Sequence, residues 1–208
     1  GVIDTLIHDP DDLKPLDPWI AEIERLIAEQ PAWPDHEIEC RVTQSLYMAL
    51  VLRQPQHPKL PEWGERTMAV VGSSTDPKLR MLAGLYLATT LMWTGQFARA
   101  APLIDTMRAI ADQPGISPIV LMTLRQIESM YYMLLGRQEP CLEAVYDGID
   151  IARSTGVQLW NNTLLVDGVG ASLAAGDLLT SANLLKELKE RPFGSRRFTQ
   201  CLHQYVSG

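Results

Sequence analysis

Three short segments constrain this chain more than anything else in it: Thr94-Gly95-Gln96, Leu135-Gly136-Arg137 and Ala175-Gly176-Asp177. Their glycines stand 41 and then 40 residues apart, and each separates two apolar stretches long enough for helices. A fixed period in this range is the mark of stacked helical hairpins, each burying its apolar face on its neighbours. A shift of 41 also lays Gly115 on Gly156 and Pro77 on Pro118, with Asp76 and Ser117 in front of the prolines. Asp or Ser followed by Pro starts a helix well, because the side-chain oxygen caps free N–H groups and proline fits the first turn. Asp35-His36 fills the same slot one period earlier, without the proline.

These starts predict first helices over 36–53, 77–94, 118–135 and 158–175, and second helices over 61–71, 97–112, 138–154 and 178–190. An opening helix at 18–29 should begin at Asp17-Pro18, and a final one near Ser195. The expected fold class is therefore all-α, an α–α superhelix of hairpins repeating about every 41 residues. Residues 1–208 read as one helical-repeat domain, with repeats at 36–71, 77–112, 118–154 and 158–190 and a partial repeat at 195–208. Strand signals are absent. Phe97, Ala100, Ile104, Met107 and Ala111 form an apolar stripe at helical spacing, as do Cys141, Val145, Ile149 and Ala152, and Leu178, Ala182, Leu185 and Leu188. First helices such as 81–88 are apolar nearly all round, as suits a helix held between neighbours. A helix that reverses within two or three residues ends best on a left-handed residue, which glycine adopts without a Cβ clash. Five positions after each turn glycine stand the small residues Ala100, Cys141 and Ser181, which let the two helices lie close.

This pairing of turn glycine and small residue, in 94–100 and 175–181, resembles tetratricopeptide-like repeats in a lengthened form. With segments such as 149–156, it is similar to the helical-repeat region of large bacterial signal-responsive ATPases. These include the maltose-regulon activator and its LuxR-type transcriptional-regulator relatives. The resemblance spans residues 36 to 190. It implies a sensor between, or beside, nucleotide-binding and DNA-binding domains of a parent chain. Gly84, Arg125 and Leu165 stand where the family carries an aromatic, and Gln54, with Pro55, Pro58 and Pro61, replaces the first turn glycine. The opening Gly1-Val2-Ile3-Asp4 reads as a cut edge or a processed end, and the next turn glycine would fall near 217 by the same spacing, past Gly208.

Composition narrows the function. With 18 basic and 25 acidic residues the formal charge is −7, which repels a phosphate backbone, so direct nucleic-acid binding is not expected. The cluster of Arg191, Arg196 and Arg197 with Lys186 and Lys189 reads as a solvated helix end. No apolar run approaches the ~20 residues of a membrane span. Cys40, Cys141 and Cys201 fit neither a disulfide framework nor zinc spacing, and three separate thiols point to a reducing compartment, the cytoplasm. There is no P-loop, no GxSxG and no HExxH; His8, His36, His57 and His203 read as surface or cap residues. Gly168-Val169-Gly170 follows no strand and reads as close helix packing rather than half a dinucleotide fingerprint. No cofactor and no metal is expected in this segment.

What is left is the concave wall that first helices build in a tetratricopeptide stack. Counting back from each turn puts Arg41, Gln44 and Met48 there, then Thr89 and Met92, then Thr123, Gln126, Met130 and Met133, then Thr163 and Gly170. Methionine suits adaptable apolar recognition, and Gln or Thr could orient a polar ligand. Helices filling the groove would instead make these residues plain core. Trp160 opens a helix at a repeat edge and joins the candidate face; Trp93 and Tyr132 read as packing. Three functions follow. The first is a non-catalytic sensor of a transcriptional regulator, binding an inducer small molecule or a partner protein. The second is a scaffold with a peptide or helix in its groove. The third is an all-α enzyme, for which Asp167, Glu128 and Arg125 are the only charges set into otherwise apolar first helices, expected as helix-to-helix ion pairs or rim residues.

Overall fold

The computed structural model describes residues 2–7, 12–30, 32–190, 200–201 and 204–205. Among them are ten α-helices and no strand, so the all-α class holds. The chain divides into two compact units, Gly1–Ile110 and Ala111–Gly208. The first contains α1 (Val2–Leu6), α2 (Leu16–Glu29), α3 (His36–Arg53), α4 (Leu60–Ser73), α5 (Pro77–Trp93) and α6 (Phe97–Ala111), whose last residue lies on the boundary. The second contains α7 (Pro118–Leu134), α8 (Gln138–Thr155), α9 (Asn161–Ala174) and α10 (Leu178–Glu190). The final helix expected from Ser195 starts outside the described residues, as do His8, His203 and the arginines at 191, 196 and 197.

The starts explain themselves. Asp35 accepts a hydrogen bond from the Ile38 N–H and Asp76 from those of Lys78 and Leu79, so α3 and α5 are capped as the sequence predicts. Ser117 departs from that expectation. Its backbone is extended and Pro118 opens α7, but the hydroxyl makes no cap bond and is buried without a partner. Here the fixed φ of proline sets the start. Asp17 departs too: α2 begins one residue before it, at Leu16, and its carboxylate takes a two-pronged pair with Arg53 of α3 at 2.7 and 2.8 Å. α9 begins at Asn161, three residues later than 158, because Trp160 is spent as the cap position and its indole is tied to α7.

The turns repeat atom for atom. The Gly95, Gly136 and Gly176 backbones are left-handed, at φ 74, 67 and 77°. Each glycine N–H bonds a carbonyl three residues back (Met92, Met133, Leu173; 3.0, 2.9 and 3.0 Å). Each following N–H reaches five back (Leu91, Tyr132, Ser172; 2.7, 2.9 and 2.9 Å). That pair is the Schellman end, which satisfies helix carbonyls that would otherwise be left open. Ala100, Cys141 and Ser181 are all buried, so the small residue five positions on does bring the hairpin's second helix close.

A second recurring feature explains the missing aromatic. Gly84 and Met107, Arg125 and Gly148, and Leu165 and Leu188 are three pairs, each 23 residues apart, at equivalent positions of successive hairpins. A Cβ on Gly84 would stand 2.3 Å from the Met107 sulfur. One on Gly148 would stand 3.2 Å from Arg125 Cβ and 2.6 Å from Leu164 Cδ1. Leu165 and Leu188 are both buried in the core of the second unit. In the first two pairs one helix brings bulk where the other is bare, which lets the two helices of the hairpin pack closely there.

Gly148→Ala tests this packing. Alanine raises helix propensity by about 1 kcal/mol, yet its methyl must displace two enclosed neighbours, at about 1–3 kcal/mol. The expected net result is a loss of about 1 kcal/mol in urea unfolding. The exposed Gly72 of α4 is the control: nothing lies within 4 Å of its Cβ position, so Gly72→Ala should be neutral or stabilising.

Candidate binding face on the first helices

In the second unit α7 and α9 lie side by side and run parallel. Trp160 Nε1 donates to Thr123 Oγ1 at 2.9 Å, Ser129 and Asp167 meet through oxygens 2.6 Å apart, and a Cβ on Gly170 would be 3.0 Å from the Met133 sulfur. The three contacts climb both helices together, so one register holds from end to end. Gly168 and Gly170 do serve close packing, since a Cβ on Gly168 would meet Leu184 of α10 at 2.9 Å.

Among the candidate face residues of this unit, Met130, Met133, Thr163 and Trp160 are half-buried, while Thr123 and Gln126 are buried. Thr123 donates to the Ile119 carbonyl at 2.8 Å and accepts from Trp160, so its hydroxyl orients an indole. In the first unit Arg41 is exposed and lies 3.5 Å from Asp76, while Gln44, Met48, Thr89 and Met92 are buried. Thr89 donates to the Leu85 carbonyl, again at 2.8 Å. The methionines at 48 and 92 are thus core residues of the first unit. The side chains left part-open are Met130, Met133, Thr163 and Trp160.

The aromatics divide differently from the expectation. Trp93 is 55% exposed, not packing, because it is the last residue of α5 and precedes the Gly95 turn. Tyr132 is half-buried, edge-on to Tyr131 at 5.3 Å, with the Arg137 guanidinium 5.5 Å from its ring centre. Trp63 is buried under Arg66, 4.7 Å from the ring centre. The stripe expected on α10 is corrected: Leu178 is 68% exposed and Ala182 is exposed, and the helix buries Ser181, Leu184 and Leu188. Sequence inspection offered no sign of the other exposed aliphatics around the turns of the second unit, Leu134, Leu135, Leu173 and Leu179.

The three embedded charges also resolve. Glu128 is only 1% exposed, and Arg125, one turn before it on the same helix, approaches it to 2.6 Å and reaches Asp147 of α8 at 3.5 Å. The buried pair lies within α7, and only its weaker arm runs from helix to helix. Asp167 makes no such pair: it is 4% exposed, and Ser129 is its partner. Burial pushes its carboxyl up to about 7, and the Ser129 hydrogen bond opposes that only in part. Ser129 has one hydrogen and two neighbours that could take it, the Gln126 carbonyl at 2.9 Å and Asp167 Oδ2. A protonated Asp167 satisfies all three groups by donating to Ser129, which then donates to Gln126.

Cys141 of α8 sits 3.7 Å from the Asp167 carbonyl; burial, then the Asp167 charge, pushes its thiol up to about 12. Burial raises Cys40 as well. A thiol held protonated and covered is a poor nucleophile. A thiol reagent at neutral pH is expected to modify the exposed Cys201 quickly, and Cys40 and Cys141 only on unfolding; fast modification of two sites in the native protein would contradict this. Among the described residues there is no cluster of His, Cys, Asp or Glu able to hold a metal ion, and no helix is long and apolar enough to cross a membrane. Compared with known proteins, the chain matches no family model, no curated protein and no solved structure.

Proposed function

We propose that the chain is a non-catalytic binding module, a superhelix of tetratricopeptide-like hairpins that holds an inducer or a partner protein against its first helices. The observation that carries this is the recurrence, in three hairpins, of one turn geometry, joined in two of them by a close contact between residues 23 apart. Like joints give the hairpins a like internal build, and stacks of similar hairpins present extended inner surfaces. The embedded charges favour holding over chemistry: Arg125, Glu128 and Asp167 are bound to one another or to neighbouring side chains inside the helix layer.

Within this reading the module is the sensor of a cytoplasmic signal-responsive transcriptional regulator, with nucleotide-binding and DNA-binding domains on the parent chain. Binding would act by favouring one arrangement of the stack over another. A thermal-shift screen with sugars, nucleotides and amino acids tests it, a bound inducer raising the midpoint with concentration. Absence of both domains from the full reading frame would remove the regulator. A pull-down that returns a peptide-sized partner, with no small-molecule shift, would leave the scaffold.

A further inference from the structure

The first helices of the first unit carry a polar group that packing does not require. Ser45 Oγ donates to Asp4 Oδ1 at 2.7 Å, and Gln44 Nε2 lies 3.3 Å from the same oxygen and 2.8 Å from Ser45 Oγ. Gln44 and Ser45 belong to α3 and are buried; Asp4 belongs to α1, half-buried, with Ile3 buried beside it. Two more polar atoms stay unused. The Tyr86 hydroxyl of α5 has no partner although the residue is only 6% exposed, and Gln44 Oε1 has none at 2%. Tyr86 is close enough to Asp4 to respond to it: burial first, and then the Asp4 charge, hold its proton more tightly. Buried polar groups are almost always satisfied, so an idle hydroxyl on α5 and an idle amide oxygen on α3 each need a reason.

We propose that this inner face of α3 and α5 is a carboxylate-accepting site for a short peptide with an aliphatic–acidic pair, and that α1 fills it in cis with Ile3 and Asp4. Gln44 and Ser45 offer that oxygen neutral donors, an amide and a hydroxyl, which suit a carboxylate more than a phosphate, whose sites draw on Arg or Lys. α1 itself is five residues long, too short to stand as a helix unaided. The buried Ile3 and the Asp4 carboxylate help hold it against the cost of ordering the segment, and its release would uncover the Gln44 and Ser45 donors. A partner able to use the Tyr86 hydroxyl as well would displace it. The inference rests on the reading of the chain as a binding module and names the partner of its first unit.

The test uses the full chain, wild type and Asp4→Ala, and a fluorescein-labelled peptide carrying the sequence of residues 1–8, read by anisotropy. Asp4→Ala should bind the peptide at least about fivefold more tightly than wild type, whose site is covered. The same peptide with Asp4→Asn should bind that variant at least about fivefold more weakly. Equal binding to both proteins, or equal binding of both peptides, overturns the proposal. Sodium acetate that displaces the peptide from the variant as well as unlabelled peptide does would also overturn it, since the site would then take any small carboxylate. Should Asp4→Ala lose its helical circular dichroism, hydrogen exchange on the wild type decides: trans peptide must speed exchange at 2–7 without speeding it in α3, and no change sinks the idea. An inducer found in the thermal-shift screen with no peptide binding would leave the module reading standing and remove this one.

Discussion

Asp167→Asn is expected to stabilise the protein at pH 8 and to remove most of the pH dependence of unfolding contributed by α9. The native carboxyl titrates at about 7, against about 3.9 in an unfolded chain. Between those values the native state holds the proton and the unfolded state does not. Stability from this group is therefore fully present below about pH 4 and is lost as pH rises through about 7. The gap of roughly three units corresponds to an upper bound of about 4 kcal/mol; relaxation around a buried charge brings the expected figure to about 1–3 kcal/mol. Asparagine keeps the shape of the protonated acid and offers an N–H to Ser129 at every pH. Urea unfolding at pH 4.5 and 8 should show the two proteins alike in acid and the variant ahead in base. Asp17, Glu37 and Asp177, whose hydrogen bonds hold them below the usual carboxylate range, lose their contribution in acid. The difference between the two proteins cancels that common background. Parallel curves would mean that Asp167 is ionised and comfortable where it lies.

Arg125→Met is expected to cost about 2–4 kcal/mol, more than any surface charge in the chain, because it withdraws the cation from a carboxylate that is 1% exposed. Arg125 is itself one-third exposed and also reaches Asp147, so the loss should fall short of a fully buried pair. Glu128→Gln alone should cost less, since it removes the buried charge along with the partner. The double variant should recover at least about 1 kcal/mol over Arg125→Met. A double variant as unstable as the sum of the singles would show that Arg125 works through its contact with Gly148 instead.

How far the sequence could be read depended on whether each feature is local. Turn glycines, proline starts and the stripe of α8 are set within a few residues by backbone sterics and periodicity, so the turns at Gly95, Gly136 and Gly176 were legible. Ser117 was misjudged because proline alone suffices to start α7, and the hydroxyl is then left over. Trp93 was misjudged because helical spacing tells which way a residue points only while neighbours flank it, and the last residue of α5 has a turn on one side. The candidate face suffered most. Gln44, Thr89 and Thr123 look alike on a helical wheel, yet one binds the carboxylate of α1, one its own helix, and one the indole of Trp160.

The sequence by itself determined an all-helical chain, where its hairpins turn and the apolar face of α8, though not that of α10, since φ preference and periodicity act within one or two turns of helix. Only the tertiary structure decided that Glu128 is enclosed with Arg125, that Asp167 faces Ser129, and that Asp4 closes on Ser45. Those pairings join groups up to 41 residues apart, and burial, which converts a shared neighbourhood into a shifted proton or a filled site, exists only once the helices are packed.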